Sequence, residues 1–420
     1  MPCRTEPSVT SALFALGVLW IASCGPIPPP TAWADDLSIR FDDIEDLMRH
    51  RSPRARILVQ ELFKIEAERD MALQWTNPEL AHDREEVETS REWQLTLEKQ
   101  FSEPLSHGQR RRSWAAEVRA TGARIEQESA DLLADLKSGY VRLRLLDVYL
   151  ERHAHIEKAV RKASAAAESK HAEGEISGAG GHLMRLAALS LETQRIAAIE
   201  SRGELAASWA AEMGFSAYDS VRLATPITFH AVDLPPVEQL VRLSAGQPGL
   251  QAREFLRDAL GLRANASRPS LLPGFTLYGG YKRIEDAHDG YVLGGALRLP
   301  LFDRNPAASR SHEAERVVVE QDLEIRRSRL AGEIQTLVRT IEQTRDLLSS
   351  IADRLERKPS VAADLVYAYE EGVLSLDALL NAIQIEVAGL EDYYDLLGSY
   401  YANLFRLESL TGTDLVSFES

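Results

Sequence analysis

A motif that occurs twice at a fixed separation constrains the fold of this chain more than any other feature. Glu173-Gly174-x-x-Ser177 recurs as Glu371-Gly372-x-x-Ser375, 198 positions later. Solenoid repeats are only about 20–50 residues long. The sequence therefore predicts two copies of one large unit. Three further pairs have a similar spacing: Pro104 with Pro300, Gly214 with Gly412, and Ser52-Pro53 with Gln247-Pro248.

Long helices are expected in both copies. No proline occurs between Pro104 and Pro226, and a helix from Pro104 to Gly174 would be about 100 Å long. Apolar residues at steps of three and four predict coiled-coil packing. In the first copy these are Leu133, Leu136, Tyr140, Leu143, Leu146 and Leu150. In the second they are Leu330, Ile334, Leu337, Ile341, Thr344, Leu348, Ile351 and Leu355, and then Leu376, Leu380, Ile383, Val387, Leu390, Tyr394, Leu397, Tyr401 and Leu404.

Alternating residues before Pro104 and Pro300 predict one β-hairpin in each copy. Residues 275–282 and 292–299 alternate around a loop at 286–290, and the first hairpin pairs 93–98 with a strongly charged strand within 80–87. Each strand has about the 9–11 residues that cross a bilayer. Gly279-Gly280 and Gly294-Gly295 lie inside strands and are expected to permit curvature. Candidate interfacial aromatic residues are Trp93, Tyr281 and Tyr291.

Four strands cannot close a membrane barrel, and an open sheet edge in lipid leaves backbone groups unpaired. The chain is therefore expected to oligomerise, and three copies would supply twelve strands, an even number within the known range. The net charge of −16 argues against nucleic acid as a partner.

The first residues are typical of a targeting segment. An apolar stretch at 12–22 is followed by Ile21-Ala22-Ser23-Cys24, which resembles a bacterial lipobox with Cys24 as the lipidated residue. The prediction is a signal peptide at 1–23, with cleavage after Ala34 as the alternative. Cys3 and Cys24 are the only cysteines, so the mature body is expected to lack disulfides and thiol nucleophiles.

The chain resembles the outer-membrane efflux proteins, which are the TolC-like exit ducts of tripartite pumps. The resemblance rests on four motifs in order, and the third has the form typical of the heavy-metal branch. They are Asn77-Pro78-Glu79-Leu80, the 104–110 segment beginning Pro104-Leu105, the 299–305 segment Leu-Pro-Leu-Phe-Asp-Arg-Asn, and Tyr369-x-x-Gly372-x-x-Ser375.

The resemblance implies a mixed fold: a long antiparallel α-helical coiled-coil barrel plus a transmembrane β-barrel with four strands per chain, two structural repeats, in a trimer. Repeats are expected at 35–227 and 228–415. Pro359 would suit a bend that closes the tip. The expected partners are a second and third copy, a periplasmic adaptor, an inner-membrane pump and outer-membrane lipid. Candidate docking residues are Glu173, Gly174, Ser177, Gly372, Leu374 and Ser375, and candidate acidic tip residues are Glu371 and Asp377.

Other polar residues carry no recognisable catalytic or metal-binding pattern. His153 and His155 are two apart and point to different faces of a helix, so we expect a solvated surface rather than a metal site. His107, His182 and His230 are expected to be structural. No cofactor, metal or catalytic residue is expected.

The leading hypothesis is a passive outer-membrane channel of a tripartite efflux system, with heavy-metal cations as candidate cargo. One alternative is a periplasmic lipid-anchored coiled-coil adaptor or scaffold. Another is the exit duct of a type I protein secretion system, which would share the architecture.

Overall fold

The computed structural model describes residues 37–87, 90–101, 104–174, 178–215, 221–268, 274–284, 289–297, 306–357 and 360–418. Cys24, Ser177, the 299–305 motif and Pro359 lie outside them. The helices are α1 (Ile44–Arg51), α2 (Pro53–Leu73), α3 (Pro104–Ala172), α4 (Gly178–Met213), α5 (Val237–Ser244), α6 (Pro248–Ala266), α7 (Pro306–Arg357), α8 (Ala362–Glu370) and α9 (Leu376–Thr411). The strands are β1 (Leu37–Ile39), β2 (Glu79–Val87), β3 (Ser90–Phe101), β4 (Val221–Leu223), β5 (Phe275–Ile284) and β6 (Gly290–Leu297).

The two copies contain corresponding elements in the same order. Helices α2 and α6 both begin at the prolines of the duplicated pair, with Pro53 and Pro248 as first residues. Ser52 caps α2, where its Oγ accepts a hydrogen bond from the Ala55 amide at 3.4 Å. Each of these helices is followed by a hairpin and then by a long helix, α3 or α7. The repeated sequence pattern therefore corresponds to a repeated structural plan.

Helix α3 contains 69 residues, which at about 1.5 Å per residue gives a length of about 104 Å. It packs against α2, α4, α6 and α9. The predicted seam is present at Leu136, Tyr140 and Leu143, but burial extends to Leu132 and Leu145. A helix surrounded by several neighbours buries more than one stripe, so the two-position seam was too narrow a prediction for this helix.

The seams predicted in the second copy match the buried residues more closely. Ile334, Ile341 and Leu348 are buried on α7, and Leu390 and Leu397 are buried on α9. Helix α9 packs against both α3 and α7 and thereby joins the two copies in one core.

Four glycines in the described residues have a positive φ, and they are the two duplicated pairs. Gly174 (79°) and Gly372 (76°) follow α3 and α8, whereas Gly214 (79°) and Gly412 (68°) follow α4 and α9. A left-handed residue after the last turn is a common way to end a helix, and glycine adopts it without steric cost. Each duplicated glycine is therefore a helix stop.

The two hairpins form one antiparallel sheet in the order β2-β3-β5-β6. The central pairing of β3 with β5 joins the hairpin of the first copy to that of the second. The strand predicted within 80–87 is confirmed as β2, despite its charged residues. A separate parallel pair, β1 with β4, lies where the first copy begins and ends.

Candidate functional site

One face of the four-stranded sheet is apolar and exposed. Residues that are paired directly across strands point to the same side, and the register places Leu80, Leu97, Gly279 and Leu293 in one row. Leu293 is 85% exposed, whereas Thr96, on the opposite face, is 8% exposed. The exposed large hydrophobic side chains of this face are Leu80, Trp93, Leu95, Leu97, Leu277, Tyr291, Leu293 and Leu297.

Aromatic residues flank this apolar face at both ends. Near the hairpin loops, Tyr281 lies 5.5 Å from Trp93 and 6.1 Å from Tyr291, measured between ring centroids. Near the long helices, Phe101 stacks on Phe275 at 4.8 Å. Trp93 and Phe101 are eight positions apart on β3, which corresponds to about 26 Å of strand. An apolar band about 25 Å tall between aromatic girdles is typical of transmembrane strands.

The opposite face of the sheet is polar and acidic. Among the residues of the sheet that the structure describes, Lys282 is the one basic residue on this face, and its Nζ lies 2.5 Å from Glu92. The remaining carboxylates of the face have no basic residue beside them in the register. The acidic residues of this face are Glu79, Asp83, Glu85, Glu92 and Glu98.

Two glycines bring the strands close together on the polar face. A Cβ at Gly280 would lie 2.2 Å from the Leu95 carbonyl oxygen, and one at Gly294 would lie 2.4 Å from the Tyr278 hydroxyl. Glycine in a strand interior often marks such a close approach. These contacts give the two glycines a role in strand packing, whereas the predicted role in curvature stays a prediction.

The second tip turn brings several of the predicted docking residues together. The Val373 amide donates to the Ala368 carbonyl at 2.9 Å, and the Gly372 amide donates to that of Tyr369 at 3.1 Å. These two bonds are those of a Schellman helix end. Ser375 then caps α9 by accepting a hydrogen bond from the Ala378 amide at 3.3 Å.

Side chains of the second turn are mostly solvent-exposed. Glu371, Gly372, Ser375 and Asp377 are exposed, whereas Leu374 is half-buried against the core. Val373, which the sequence analysis did not single out, is 81% exposed.

The first tip turn is exposed as far as it is described. The Gly174 amide donates to the His171 carbonyl at 3.0 Å, and both Glu173 and Gly174 are exposed. Lys162 of α3 lies 3.5 Å from Glu370 of α8. The two helical arms, which are α3 and α4 in the first copy and α7, α8 and α9 in the second, therefore lie side by side close to their tips. The structure therefore places the described docking candidates, Glu173 and Gly174 in the first copy and Gly372, Leu374 and Ser375 in the second, at the ends of two neighbouring helical arms.

The helical path of the second arm breaks between Arg357 and Ala362, at the position where Pro359 predicts a bend. Other helices bind the free backbone groups on both sides of the break. Arg152 of α3 donates to the Leu355 carbonyl at 2.8 Å, and Glu386 of α9 accepts from the Val361 amide at 2.8 Å. The sequence carried no signal for these two side chains, because their partners are backbone groups of a remote segment.

The expectation for His153 was wrong. His153 is buried at 1% exposure, whereas His155 is exposed as predicted. Burial lowers the pKa of His153, and Arg195 lowers it further, whereas Gln194 and Glu157 oppose the shift. No group of three or more His, Cys, Asp or Glu side chains in the described residues could hold a metal ion.

The ring of His107 stacks on Trp75 at 4.7 Å. In the described chain, no helix is at once long enough and apolar enough to span a membrane.

No protein-family model matches the chain, and no curated protein matches it in sequence. Solved structures match its fold. The outer-membrane channel OprN is 15% identical with a TM-score of 0.74, covering 89% of both chains. The outer membrane protein VceC from Vibrio cholerae is 14% identical with a TM-score of 0.73, covering 89% of this chain and 96% of that one.

A third match is the open state of the Neisseria gonorrhoeae outer membrane channel MtrE. It is 14% identical with a TM-score of 0.70, and the match covers 92% of this chain and 93% of that one. At these identities the likeness concerns architecture. The chain therefore has the fold of outer-membrane channels.

Proposed function

We propose that this chain is one subunit of a trimeric outer-membrane channel that serves a tripartite efflux system, and that it belongs to the outer-membrane efflux proteins. The exposed apolar face of the sheet, bounded by two aromatic clusters, is the observation that carries this proposal. A soluble domain buries such a face, because exposed leucines in contact with water are unfavourable. Lipid is the environment in which this face is stable.

The number of strands supports an assembly of several chains. Strands β2 and β6 are the outer strands of the sheet, so each has one edge without a strand partner among the described residues. In lipid such edges must pair, and pairing β6 of one copy with β2 of the next would close a ring. Three copies would give twelve strands.

Apolar side chains on the helices support the same assembly. Helix α4 has a stripe of exposed apolar residues at a spacing close to that of a coiled-coil seam. Helix α2 exposes Ile57, Phe63 and Met71. These faces are available for helices of neighbouring copies. The exposed residues of the α4 stripe are Leu183, Leu186, Leu189, Ile196 and Ile199.

The length and the tips of the arms suit a connection across the periplasm. Helix α3, at about 104 Å, is far longer than the diameter of an ordinary domain. In the proposed assembly the tips, with Gly174, Ser177 and Gly372, meet a periplasmic adaptor and through it an inner-membrane pump. The channel itself would be passive and would catalyse no reaction. Cys24 would anchor the mature N-terminus in lipid.

The acidic polar face of the sheet would line the pore, which favours cationic cargo, including heavy-metal cations. An exit duct for type I protein secretion would have the same architecture. The efflux channel and the secretion duct differ in the pump that they serve. Deletion of the gene distinguishes them when metal tolerance, antibiotic tolerance and protein secretion are all measured.

The test of the proposed function is the state and conductance of the purified protein. We expect a detergent-stable trimer that forms ion-conducting pores in a planar lipid bilayer. A monomer that stays soluble without detergent would contradict the proposal and favour the periplasmic scaffold. If a trimer inserts but does not conduct, removal of the tips distinguishes the two hypotheses. A duct that is closed at its tips should then conduct, whereas a scaffold should not.

A further inference from the structure

A buried histidine lies between the two helices of the first arm. Neither ring nitrogen of His153 has a hydrogen-bond partner among the described residues, although the Gln194 amide of α4 lies near the ring. The Tyr149 ring lies 5.7 Å away on the same helix. A buried polar ring without partners is rare, because burial without hydrogen bonds costs free energy. Neutral imidazole keeps this cost lowest, since it carries no charge.

Among the described residues, Glu157 is the one carboxylate that acts on the charge of this ring, and it is already paired with two arginines. Glu157, one turn further along α3, is buried, and its oxygens lie 2.5 Å from Arg161 and 2.9 Å from Arg195 of α4. Arg161 also lies 3.5 Å from Glu192 of α4. A charge on His153 would therefore compete with Arg195 for Glu157, and the Arg195–Glu157 pair holds α4 against α3.

The aromatic side of the cluster presents the uncharged ring of Tyr149 to His153. The Tyr149 ring lies 6.4 Å from that of Tyr394 on α9, and Arg152 lies over the Tyr394 ring. Burial raises the pKa of Tyr149 to about 12, and the nearby carboxylates Glu391 and Asp395 add to the shift. Tyr149 thus stays neutral at any pH at which His153 could gain a proton.

We propose that His153 makes the α3–α4 packing of the first arm acid-sensitive, so that protonation of its ring separates α4 from α3 around the Glu157–Arg195 pair. The neutral ring is compatible with tight packing. The imidazolium would be buried, without a free carboxylate, and repelled by Arg195.

The direction of the pH dependence follows from linkage. The folded arm binds the proton less readily than an unfolded chain, whose histidine pKa is about 6.5. The arm is therefore fully stable at neutral pH and loses stability as the pH falls below about 6.5. The turn at Gly174 connects these two helices, so its position would change with pH. The effect of that change on an adaptor rests on the proposed function, whereas the switch itself does not.

Hydrogen exchange of the full-length protein in detergent tests the switch at pH 7.5 and pH 5.0. After correction for intrinsic rates, we expect amides of 186–198 in α4 to lose protection by about tenfold at the lower pH relative to α9. His153→Gln, which keeps a neutral polar side chain, should abolish this loss. The matched control is His155→Gln, which removes an exposed histidine two positions away and should respond like the wild type.

Persistence of the acid response in His153→Gln, or its absence in the wild type, would overturn the proposal. If His153→Gln does not fold, the slow deuteration of the histidine Cε1–H in the wild-type protein measures the His153 pKa directly. A value clearly below that of His155 supports the switch, and a value equal to it or higher refutes it. Both readouts are independent of conductance and of adaptor binding, so failure of the channel proposal would leave them interpretable.

Discussion

Single residues decide how closely the two helices of the first arm, α3 and α4, pack. Gly139 of α3 faces Trp209 of α4, and the Trp209 Nε1 donates to the Leu136 carbonyl at 2.9 Å. A Cβ at Gly139 would lie 2.6 Å from Trp209 Cδ1. The helix tolerates a glycine here because the indole occupies the space of the missing side chain.

The variant Gly139→Ala is expected to destabilise the protein by about 1–3 kcal/mol, because the added methyl displaces the buried indole. Alanine in a helix interior is normally favoured over glycine by up to about 1 kcal/mol. The matched control, Gly122→Ala, lies in the same helix with nothing within 4 Å of the added Cβ. The thermal midpoint of the detergent-solubilised protein should fall in Gly139→Ala and should stay unchanged or rise in Gly122→Ala. Equal midpoints would contradict the packing argument.

Tyr140 connects α3 to both ends of the first copy. Its hydroxyl donates to the Ile39 carbonyl at 2.9 Å and accepts from the Thr225 amide at 3.0 Å. Tyr140→Phe leaves the buried Thr225 amide without this partner, whereas the Ile39 carbonyl still accepts from the Ala224 amide at 2.9 Å. The loss is expected to cost about 1–3 kcal/mol in the free energy of unfolding. Tyr367→Phe, on an exposed tyrosine, is the control and should leave the denaturation midpoint unchanged. A similar loss in both variants would mean that the Tyr140 hydroxyl contributes nothing specific.

Among the elements, the strands differ from the helices in what their patterns reveal. The alternation on β3 and β5 predicted their two faces correctly, because a strand turns its side chains to opposite sides at each step. For α3, the two-position seam underestimated burial. A helix has several faces, and the number of them that are covered depends on how many neighbours surround it.

An arginine on the apolar face of the sheet should prevent stable insertion. Leu97 lies midway between Trp93 and Phe101 on β3, and Leu97→Arg is expected to cost about 2–4 kcal/mol per subunit if this face meets lipid. The control is Glu98→Arg, which places the same side chain one residue along, on the polar face. The amount of heat-resistant trimer recovered from outer membranes should fall only for Leu97→Arg. Equal recovery of the two variants would mean that the apolar face does not contact lipid.

At the scale of the whole molecule, the duplication gives each copy one hairpin and one helical arm, and the sheet joins the copies through β3 and β5. The sheet thereby has one apolar and one acidic face, and closure of the ring would place the acidic face inside. The charge of this face would then act on every ion that passes.

The bilayer pore is accordingly expected to favour potassium over chloride. Asp83→Asn combined with Glu98→Gln removes two charges per subunit from the polar face and should shift the reversal potential in a KCl gradient towards zero. The shift should be largest at low ionic strength, because the Debye length is about threefold longer at 0.01 M than at 0.1 M salt and the carboxylates are screened less. Glu86→Gln, on the opposite face, is the control. A reversal potential that is unchanged in the double variant would show that these carboxylates do not line the pore.

The sequence by itself determined the features that are encoded in neighbouring residues. The four duplicated glycines end helices, Pro53 and Pro248 begin them, and the alternating runs form strands, since each of these depends on local backbone preferences or on a local period. Spacing of the repeat likewise predicted that the elements would occur twice.

Only the tertiary structure decided which remote groups meet. His153 is buried and His155 is exposed, because they point to different sides of α3 and α4 covers one side and leaves the other open. Arg152 and Glu386 bind backbone groups beside the break in the second arm, about 200 and 25 positions away along the chain. Such contacts follow from the packing of long helices against one another, which no local pattern records.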